Sequence, residues 1–394
     1  MVGVPNNGLR YLGYSHKERC KVAVSTSTTT PMASQRGVVI SEMNLGESTH
    51  LRQLMNFVKA NSKTLSPSRQ LWLRKYSVSH HRLPHGVAAW KDNRIIAFVG
   101  LFEDALPING SLQPIAWIPD WQASEEYPGV GAAVLGFAVR RYNDVMFMAL
   151  GGRRPARAVL EALGWKVGAW LDHFELSLSA AHLIRSTLTA VRMRHASELP
   201  DLFRGWWMNR GLPGSPDESS ARSVMISPGR AELSDRVHAA AWSAFPAGTR
   251  GFRRDLERYR HQYFGGDKKP FFVSTPEVDG QPVGFLLWCC RPLGQFRAFC
   301  LIDWLGSLDL PVLQGVLRSV VELARQLGCD VVRAAASEGP WHRVILRARF
   351  RRVGRFNLYI ERGVASQLPP LDGIYLTEHD ADLSYTYLKI LYGC

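Results

Sequence analysis

Two long blocks of the chain share one pattern of hydrophobic and polar positions. In the first block, apolar residues at helical spacing predict two helices, one following the capping pair Ser48-Thr49 and one over residues 68–78. Apolar runs separated by turn residues then predict three meander strands, followed by helix, strand, helix and strand. These elements are predicted at 86–90, 95–102, 115–120, 132–142, 145–150, 155–163 and 167–176.

The second block repeats this order of elements. Its helices are predicted at 233–245, 252–263, 311–327 and 341–349, and its strands at 271–273, 283–290, 296–304, 330–336 and 356–361. Asp120-Trp121 follows one strand as Asp303-Trp304 follows its counterpart. The repeat predicts a mixed α/β protein with two tandem domains, each a central mixed sheet flanked by helices. We expect a leader at 1–36, domains at 37–178 and 231–363 (with an alternative start near 190), a connector at 179–230 and a tail at 364–394.

The stretch from Ile115 to Ala132 combines a strand, a short polar loop, two glycines and the start of a helix. The first N–H groups of a helix lack partners within the helix, and the helix dipole favours negative charge there. This stretch therefore predicts an anion-binding site.

Composition narrows the choice of partners. A chain of 394 residues with 46% hydrophobic residues is long and apolar enough for more than one core. The formal charge of +14 points to acidic partners, but the basic residues form no run of five, which disfavours nucleic acid. No run of 18 apolar residues occurs, and we expect a cytoplasmic protein without a transmembrane segment. The six cysteines include no CxxC pair, so reduced buried thiols are expected rather than disulfides or a zinc site.

The order of elements and the glycine loop resemble the GNAT acyltransferase superfamily, here as a tandem pair. That family has Arg or Gln, two residues, Gly, one residue, then Gly or Ala in this loop; Gly129 and Gly131 match, whereas Glu126 stands where the cation or amide is expected. The resemblance implies a donor that is an acyl-CoA or the phosphopantetheine of an acyl carrier protein, without a metal. The residues it implies for donor binding are Tyr127, Gly129, Val130, Gly131 and Ala132, with Arg153 and Arg154 as compensating cations.

Two further stretches carry the resemblance. Gly151-Gly152 and Leu163-Gly164-Trp165 resemble the family's later motif, in which many members place a Tyr general acid where Leu160 stands here. The second block has Trp304-Leu305-Gly306 before its helix, a poor pyrophosphate cradle. The ending 371–382 is similar to tandem GNAT proteins encoded with surface-polysaccharide genes. The implied reaction is N-acylation of an amine, such as a nucleotide-linked amino sugar.

Direct attack of an amine on a thioester needs a proton acceptor near the two parallel strands that hold the donor. Asp120 is the first candidate, with a turn cap as its alternative role. Glu103 and its neighbour Asp104 follow, with solvated turn carboxylates as the alternative. Asp303 is the candidate from the second block, with structural pairing to an Arg as its alternative.

Other polar and aromatic groups have weaker claims to a role. His80, His81 and His85 lack metal-ligand spacing and are expected at the surface or near the acceptor. The tail residues Tyr375, Glu378, His379, Asp380 and Asp382 line an acceptor pocket if the tail folds back, and are solvated otherwise. We expect packing in the core or the connector for Trp206, Trp207 and Trp288. A basic face is expected to be solvated or to attract an acidic partner such as an acyl carrier protein; it comprises Arg349, Arg351, Arg352 and Arg355.

Two other functions stay open at the level of sequence. A Fem-like aminoacyl transferase that uses charged tRNA would suit the +14 charge, although the Gly129/Gly131 loop argues against it. A GNAT pair without activity, serving as a binding protein, would account for Glu126 and Leu160.

Overall fold

The computed structural model describes residues 37–61, 68–76, 82–108, 111–152, 154–192, 223–226, 229, 232–247, 249, 251–252, 254–264, 271–361, 374–377 and 379–380. The predicted leader, and most of the predicted connector and tail, therefore lie outside the described residues. Within the described part, no helix is both long and apolar enough to span a bilayer.

Each half of the described chain contains a run of consecutive strands, and strands and helices alternate after it. The strands are β1 (Val39–Met43), β2 (Gly86–Lys91), β3 (Arg94–Gly100), β4 (Phe102–Ile108), β5 (Ser111–Trp117), β6 (Trp121–Ala123), β7 (Met146–Leu150), β8 (Lys166–Ser177), β9 (Met225–Ile226), β10 (Phe271–Ser274), β11 (Pro276–Val278), β12 (Gln281–Pro282), β13 (Gly284–Leu293), β14 (Phe296–Gly306), β15 (Val331–Ala336) and β16 (Arg351–Ile360). The helices are α1 (Ser48–Asn61), α2 (Arg69–Tyr76), α3 (Val130–Arg141), α4 (Arg154–Ala162), α5 (Ala180–Arg192), α6 (Asp235–Ala244), α7 (Leu256–Tyr259) with a π-helical turn over Arg260–Phe264, α8 (Leu310–Gln326) and α9 (Pro340–Arg347).

A nine-stranded sheet runs through both halves of the chain, in the order β10-β13-β14-β15-β8-β16-β7-β5-β4. The pairs β5–β7 and β14–β15 are parallel, whereas β15–β8, β8–β16 and β16–β7 are antiparallel. The last strand of the second half, β16, thus lies between β7 and β8 of the first half. This crossing joins the two halves through main-chain hydrogen bonds.

Two smaller sheets complete the β structure of the described residues: β1-β2-β3-β6 and β12-β11-β9. In the first of these, β3 and β6 belong to the same long hairpin as β4 and β5. The hairpin changes sheets between Gly100 and Phe102 on one side and between Trp117 and Trp121 on the other. This break separates the end of β5 from its continuation, and it is the feature that shapes the candidate site.

Apolar side chains cover both faces of the large sheet. Ala116, Phe147 and Tyr359 pack with Val134 of α3 and Leu160 of α4 on one face of the first half. In the second half, α8 and α9 pack on a cluster of β8, β14 and β15 residues. The mixed α/β class predicted from the sequence is confirmed, and the limits of its two domains remain a prediction.

Two hairpin turns, one between β2 and β3 and one between β11 and β12, have the backbone angles of two-residue loops. Asp92 and Asn93 have φ of 49° and 58°, and Asp279 and Gly280 have φ of 52° and 75°. Positive φ at both central residues is the geometry of the two-residue turn that matches strand twist.

Several predicted bounds were wrong. The strand predicted over 95–102 ends at Gly100, and a separate strand that was not predicted, β4, covers Phe102–Ile108. The final strand begins at Arg351 and not at residue 356, because its basic residues pair with β8 in the sheet. Charged side chains hid this half of β16 from an interpretation based on apolar runs.

Candidate active site

The parallel strands β5 and β7 separate at one end, which we call the first splay. Ile115, Ala116 and Trp117 pair with Met146, Phe147 and Met148. The Ile118 N–H then donates to the Met148 carbonyl at 2.8 Å. Beyond it, Pro119 lacks an N–H, and the chain turns away so that β6 pairs with β3. A ligand arm can enter where two parallel strands part in this way.

Next to the first splay lies the glycine loop, residues 127–132, which leads into α3. Gly129 is the N-cap residue with φ of 84°, a left-handed conformation that favours glycine. No side chain caps the helix, so the N–H groups of its first turn are not satisfied by a side-chain acceptor. The Val130 N–H donates to Tyr127 O at 3.2 Å. The loop has the geometry of an anion site at a helix N-terminus.

Gly131 has a different role from Gly129, because it lets the helix approach β6 closely. A Cβ at Gly131 would lie 3.1 Å from the Ala123 Cβ and 3.2 Å from Trp121 Nε1. The Trp121 indole N–H donates to the Gly131 carbonyl at 3.1 Å. The positive φ at Gly129 and the close contact at Gly131 thus explain why glycine stands at both positions.

The other residues predicted for donor binding lie around this loop. Tyr127 is half-buried, and the Lys91 Nζ lies 4.9 Å from the centre of its ring. Glu126 is exposed, and its N–H contacts Ser124 Oγ at 3.4 Å. Arg154 is exposed at the start of α4, and Arg153 lies outside the described residues. The positions of these cations relative to a phosphate stay a prediction.

Asp120 lies at the first splay and is 4% exposed. Its Oδ2 lies 2.8 Å from the Lys75 ammonium and accepts a hydrogen bond of 2.6 Å from the Tyr76 hydroxyl. Both partners come from the end of α2. A buried carboxylate with a cation and a hydroxyl donor as partners suits a proton acceptor and equally suits a structural ion pair.

The other two predicted carboxylates of the first half, Glu103 and Asp104, have different surroundings. Glu103 is half-buried, and its Oε2 accepts from the Arg82 N–H at 3.3 Å. Asp104 is 4% exposed. It accepts hydrogen bonds from Arg258 at 2.7 Å and from the Trp117 indole N–H at 3.3 Å. Asp104 is therefore not a solvated turn residue; it is paired with a cation from the second half of the chain.

Asp303 lies in a buried polar network of the second half. Its Oδ2 accepts from Arg254 Nε at 3.2 Å and from the Tyr259 hydroxyl at 2.5 Å. Its Oδ1 accepts from Thr377 Oγ1 at 2.8 Å. The alternative role considered for Asp303, pairing with an Arg, is thus present as an ion pair with Arg254.

Asp380 belongs to the same network. Its Oδ2 accepts from Arg254 at 2.5 Å, whereas its buried Oδ1 has no hydrogen-bond partner among the described residues. Burial raises the pKa of Asp380 to about 6, against the opposing charge of Arg254. His379 is also buried, and its Nδ1 lies 2.7 Å from the Tyr263 hydroxyl. The tail residues Glu378 and Asp382 lie outside the described residues.

The sequence interpretation missed the cations of these pairs. Arg254 and Arg258 are four residues apart within the segment 252–263 that was predicted to be a basic helix. Their four-residue spacing was the one signal of a shared role in the sequence. The neighbouring residues did not indicate that both side chains are buried, at 1% and 6% exposure. Arg258 is also 154 residues from Asp104 in sequence, so only the fold brings them together.

The remaining candidate residues that the structure describes are held by hydrogen bonds or core packing. His85 Nδ1 accepts from the Leu45 N–H at 3.2 Å, and Trp288 is buried with its indole donating to Ser274. Leu160, at the position where many GNAT proteins have a Tyr general acid, is buried in the core of the first half. His80, His81, Trp206 and Trp207 lie outside the described residues. In the described part of the chain, no group of three or more His, Cys, Asp or Glu is placed to hold a metal ion.

The predicted basic face is partly engaged with carboxylates of β8. Arg355 bonds Asp172 at 2.6 and 2.8 Å, and Arg352 lies 3.6 Å from the same carboxylate. Burial opposes ionisation of Asp172, but hydrogen bonds from Arg355 and His342 hold its pKa well below the ordinary value. Arg351 lies 3.8 Å from Glu175, and Arg349 is exposed.

Comparison with known proteins places this geometry in a fold class. No protein-family model matches the chain, and no curated protein matches it in sequence. A solved structure of Saccharomyces cerevisiae N-myristoyltransferase with bound myristoyl-CoA is similar to it, with a TM-score of 0.56, 12% identity and coverage of 85% of this chain and 80% of that one. A GCN5-related N-acetyltransferase from Anabaena variabilis has a TM-score of 0.56, 10% identity and coverage of 82% and 72%. A probable N-acyltransferase from Enterococcus faecalis has a TM-score of 0.54, 9% identity and coverage of 82% and 71%.

These likenesses show the fold. The chain has the mixed α/β fold of GNAT N-acyltransferases, as its element order predicted.

Proposed function

We propose that this chain is an N-acyltransferase that transfers an acyl group from a thioester to an amine. The observation that carries this proposal is the first splay beside the glycine loop. There, two parallel strands part directly next to a helix N-terminus without a side-chain cap. The splay suits a pantetheine arm, and the loop suits the phosphates at its end. Fold neighbours that include a myristoyl-CoA complex support this choice.

In this reaction the amine nitrogen attacks the thioester carbonyl carbon. The C–N bond forms, the C–S bond breaks, the thiolate leaves, and the amine loses a proton. Backbone N–H groups near the splay are suited to stabilise the oxyanion. Asp120 is our first candidate for the proton acceptor because it lies at the splay, and Glu103 and Asp303 are the alternatives.

The donor is an acyl-CoA or the phosphopantetheine of an acyl carrier protein, and the acceptor is an amine. We propose an amino sugar, such as a nucleotide-linked one, in cytoplasmic steps of surface-polysaccharide assembly. The support for this acceptor is the short tail likeness at residues 371–382 and the net charge of +14, which attracts acidic carriers and nucleotides.

A thermal-shift assay tests donor binding. We expect CoA, acetyl-CoA or myristoyl-CoA, or a phosphopantetheine-loaded acyl carrier protein, to raise the melting temperature. Gly131→Asp should abolish this rise, but its side chain also crowds Ala123 and Trp121. Ala132→Glu is the sharper variant, because an acid in the first turn stabilises a helix while it repels phosphate. It should keep the melting temperature of the free protein and lose the ligand-induced rise.

Gly136→Glu is the matched control. It adds the same charge one turn further along α3, where a Cβ would meet only the flexible end of Arg140. This variant should retain the ligand-induced rise. The absence of any rise in the wild-type protein with every donor would contradict the proposed function.

A further inference from the structure

The second half of the chain has its own pair of parting parallel strands, which we call the second splay. Strands β14 and β15 pair at Ala298–Val331, Phe299–Val332 and Cys300–Arg333, and their pairing then ends. Both strands continue: β14 stays paired with β13 to Gly306, and β15 stays paired with β8 to Ala336. In topology, this gap corresponds to the first splay between β5 and β7.

A short piece of the same chain lies across the second splay. This C-terminal segment, residues 374–377, has exposures of only 1%, 5%, 0% and 1%. On the β15 side, the Ser337 N–H donates to Leu376 O at 3.1 Å, and the Leu376 N–H donates to Ser337 Oγ at 2.8 Å. On the β14 side, the Tyr375 hydroxyl donates to the Trp304 carbonyl at 2.7 Å. The segment is thus bonded to both walls of the gap.

A buried network of ion pairs holds the C-terminal end of this segment in place. Arg254 is 1% exposed, and it contacts Asp303 of β14 at 3.2 Å and Asp380, just beyond the segment, at 2.5 Å. The Thr377 hydroxyl donates to Asp303 at 2.8 Å, and the Thr377 N–H donates to Asp380 at 2.8 Å. Removing the segment would leave buried charges without their partners, which is strongly unfavourable.

The loop next to the second splay is built for packing and not for phosphate. There is no space for a side chain at Gly306, because a Cβ there would lie 2.4 Å from the Val283 carbonyl oxygen. The N-cap residue of α8 is Asp309, and Pro311 follows in the first turn. A carboxylate at a helix N-terminus repels an anion, and proline removes an N–H donor.

From these contacts we infer that the second splay is a binding groove whose ligand is the chain's own C-terminal segment. The segment takes the place that the donor's arm takes in the first half, so the protein holds one donor per chain. This inference rests on the proposed function for the identity of the first site. The occupancy of the second groove by residues 374–377 is independent of it.

Hydrogen exchange of the full chain, with and without CoA, tests this inference together with calorimetric stoichiometry. We expect one CoA per chain, slower exchange at residues 130–133 on binding, and no change at residues 374–377, which are already protected. Ser337→Ala removes two hydrogen bonds to the segment, the one that the Leu376 N–H donates to Ser337 Oγ and the one that the Ser337 hydroxyl donates to the Ile374 carbonyl. It should speed exchange at the Leu376 amide by about tenfold or more and leave the stoichiometry at one.

Ser274→Ala is the matched control, since Ser274 is also buried in the second half but accepts from Trp288. It should leave the Leu376 amide unchanged. Two CoA per chain, displacement of residues 374–377 by CoA, or an unprotected Leu376 amide in the free protein would overturn the inference. If neither CoA nor a phosphopantetheine-loaded acyl carrier protein binds, the proposed function fails, and the Leu376 amide still decides whether the segment occupies its groove.

Discussion

Asp120 shows how one carboxylate combines a stability role with a predicted chemical one. It lies at the first splay, and it pairs with Lys75 at 2.8 Å while Lys75 is only 7% exposed. Removing one member of a buried ion pair is more damaging than removing both, because the remaining charge loses its partner. The two roles can therefore be separated by substitutions that treat the pair as a unit.

We predict that Asp120→Asn lowers the free energy of unfolding by about 3 kcal/mol. The double variant Asp120→Asn with Lys75→Met should recover part of this loss, because no unpaired charge is left. Urea unfolding measures both effects. A double variant that is no more stable than Asp120→Asn would show that the ion pair does not control stability here. If Asp120 is also the proton acceptor, the recovered double variant will remain without activity.

A second residue-scale prediction concerns Cys290. Its Sγ lies 3.6 Å from the Sγ of Cys329, and both residues are free thiols. The hydrogen bond with Cys329 and the neighbouring Arg297 charge together lower the pKa of Cys290 to about 7, against the effect of burial. Because the thiolate is the nucleophile, alkylation of Cys290 by iodoacetamide should rise with pH around a midpoint near 7.

The neighbouring thiol provides the control for this prediction. Cys329→Ala removes the hydrogen-bond donor and should move the midpoint up, toward the ordinary value of 9.0. Cys329→Ser keeps a donor and should preserve most of the effect. Peptide mapping by mass spectrometry gives the rate at Cys290 itself. A wild-type midpoint near 9 would contradict this account of the thiol pair.

At the scale of elements, the placement of β16 is the decisive feature. This strand belongs to the second half by sequence but pairs with β7 and β8 of the first. Asp172 of β8 and Arg355 of β16 form a bidentate ion pair across this junction, at 2.6 and 2.8 Å. The junction is therefore held by side chains as well as by main-chain hydrogen bonds.

We predict that Arg355→Met lowers the free energy of unfolding at neutral pH by about 1 kcal/mol, a value reduced because Arg355 is partly exposed. The pKa of Asp172 is lowered in the folded protein, so its stabilisation is present above 3.8, the ordinary value, and is lost as the pH falls toward the lowered value. The difference between wild type and variant should therefore shrink in acid.

Arg352→Met is the matched control for the Arg355 prediction. Arg352 lies 3.6 Å from Asp172, and its side chain is 56% exposed, so its loss should have a smaller effect. Urea titrations at several pH values measure both variants. Equal losses for the two variants, or a loss in Arg355→Met that is the same at every pH, would contradict this description of the junction.

Local signals made most elements predictable from the sequence. Asp92-Asn93 and Asp279-Gly280 favour positive φ, and Gly129 and Gly131 mark the loop before α3. The position of β16 between β7 and β8 was not predictable. Alternation of apolar and polar residues shows that a segment is a strand, but it does not show which strand it pairs with. The pairing of Asp104 with Arg258 was hidden for the same reason. Both depend on contacts between residues far apart in sequence.

At the scale of the whole molecule, the two halves share an order of elements and differ in the content of their grooves. The first half has an uncapped glycine loop beside its splay, whereas the second has Asp309 at the helix start and residues 374–377 across the gap. Of two buried carboxylate–guanidinium pairs, Asp104–Arg258 joins the two halves, whereas Asp303–Arg254 lies within the second half. This asymmetry assigns the proposed chemistry to the first half.

The most direct test of this assignment is the release of free thiol from an acyl-CoA in the presence of a panel of amines, followed with a thiol reagent. We predict release that depends on an added amine in the wild-type protein and in Gly136→Glu, and its loss in the folded Ala132→Glu variant. Equal amine-dependent release by Ala132→Glu and wild type, or no release by wild type with any amine although the donor binds, would contradict the account.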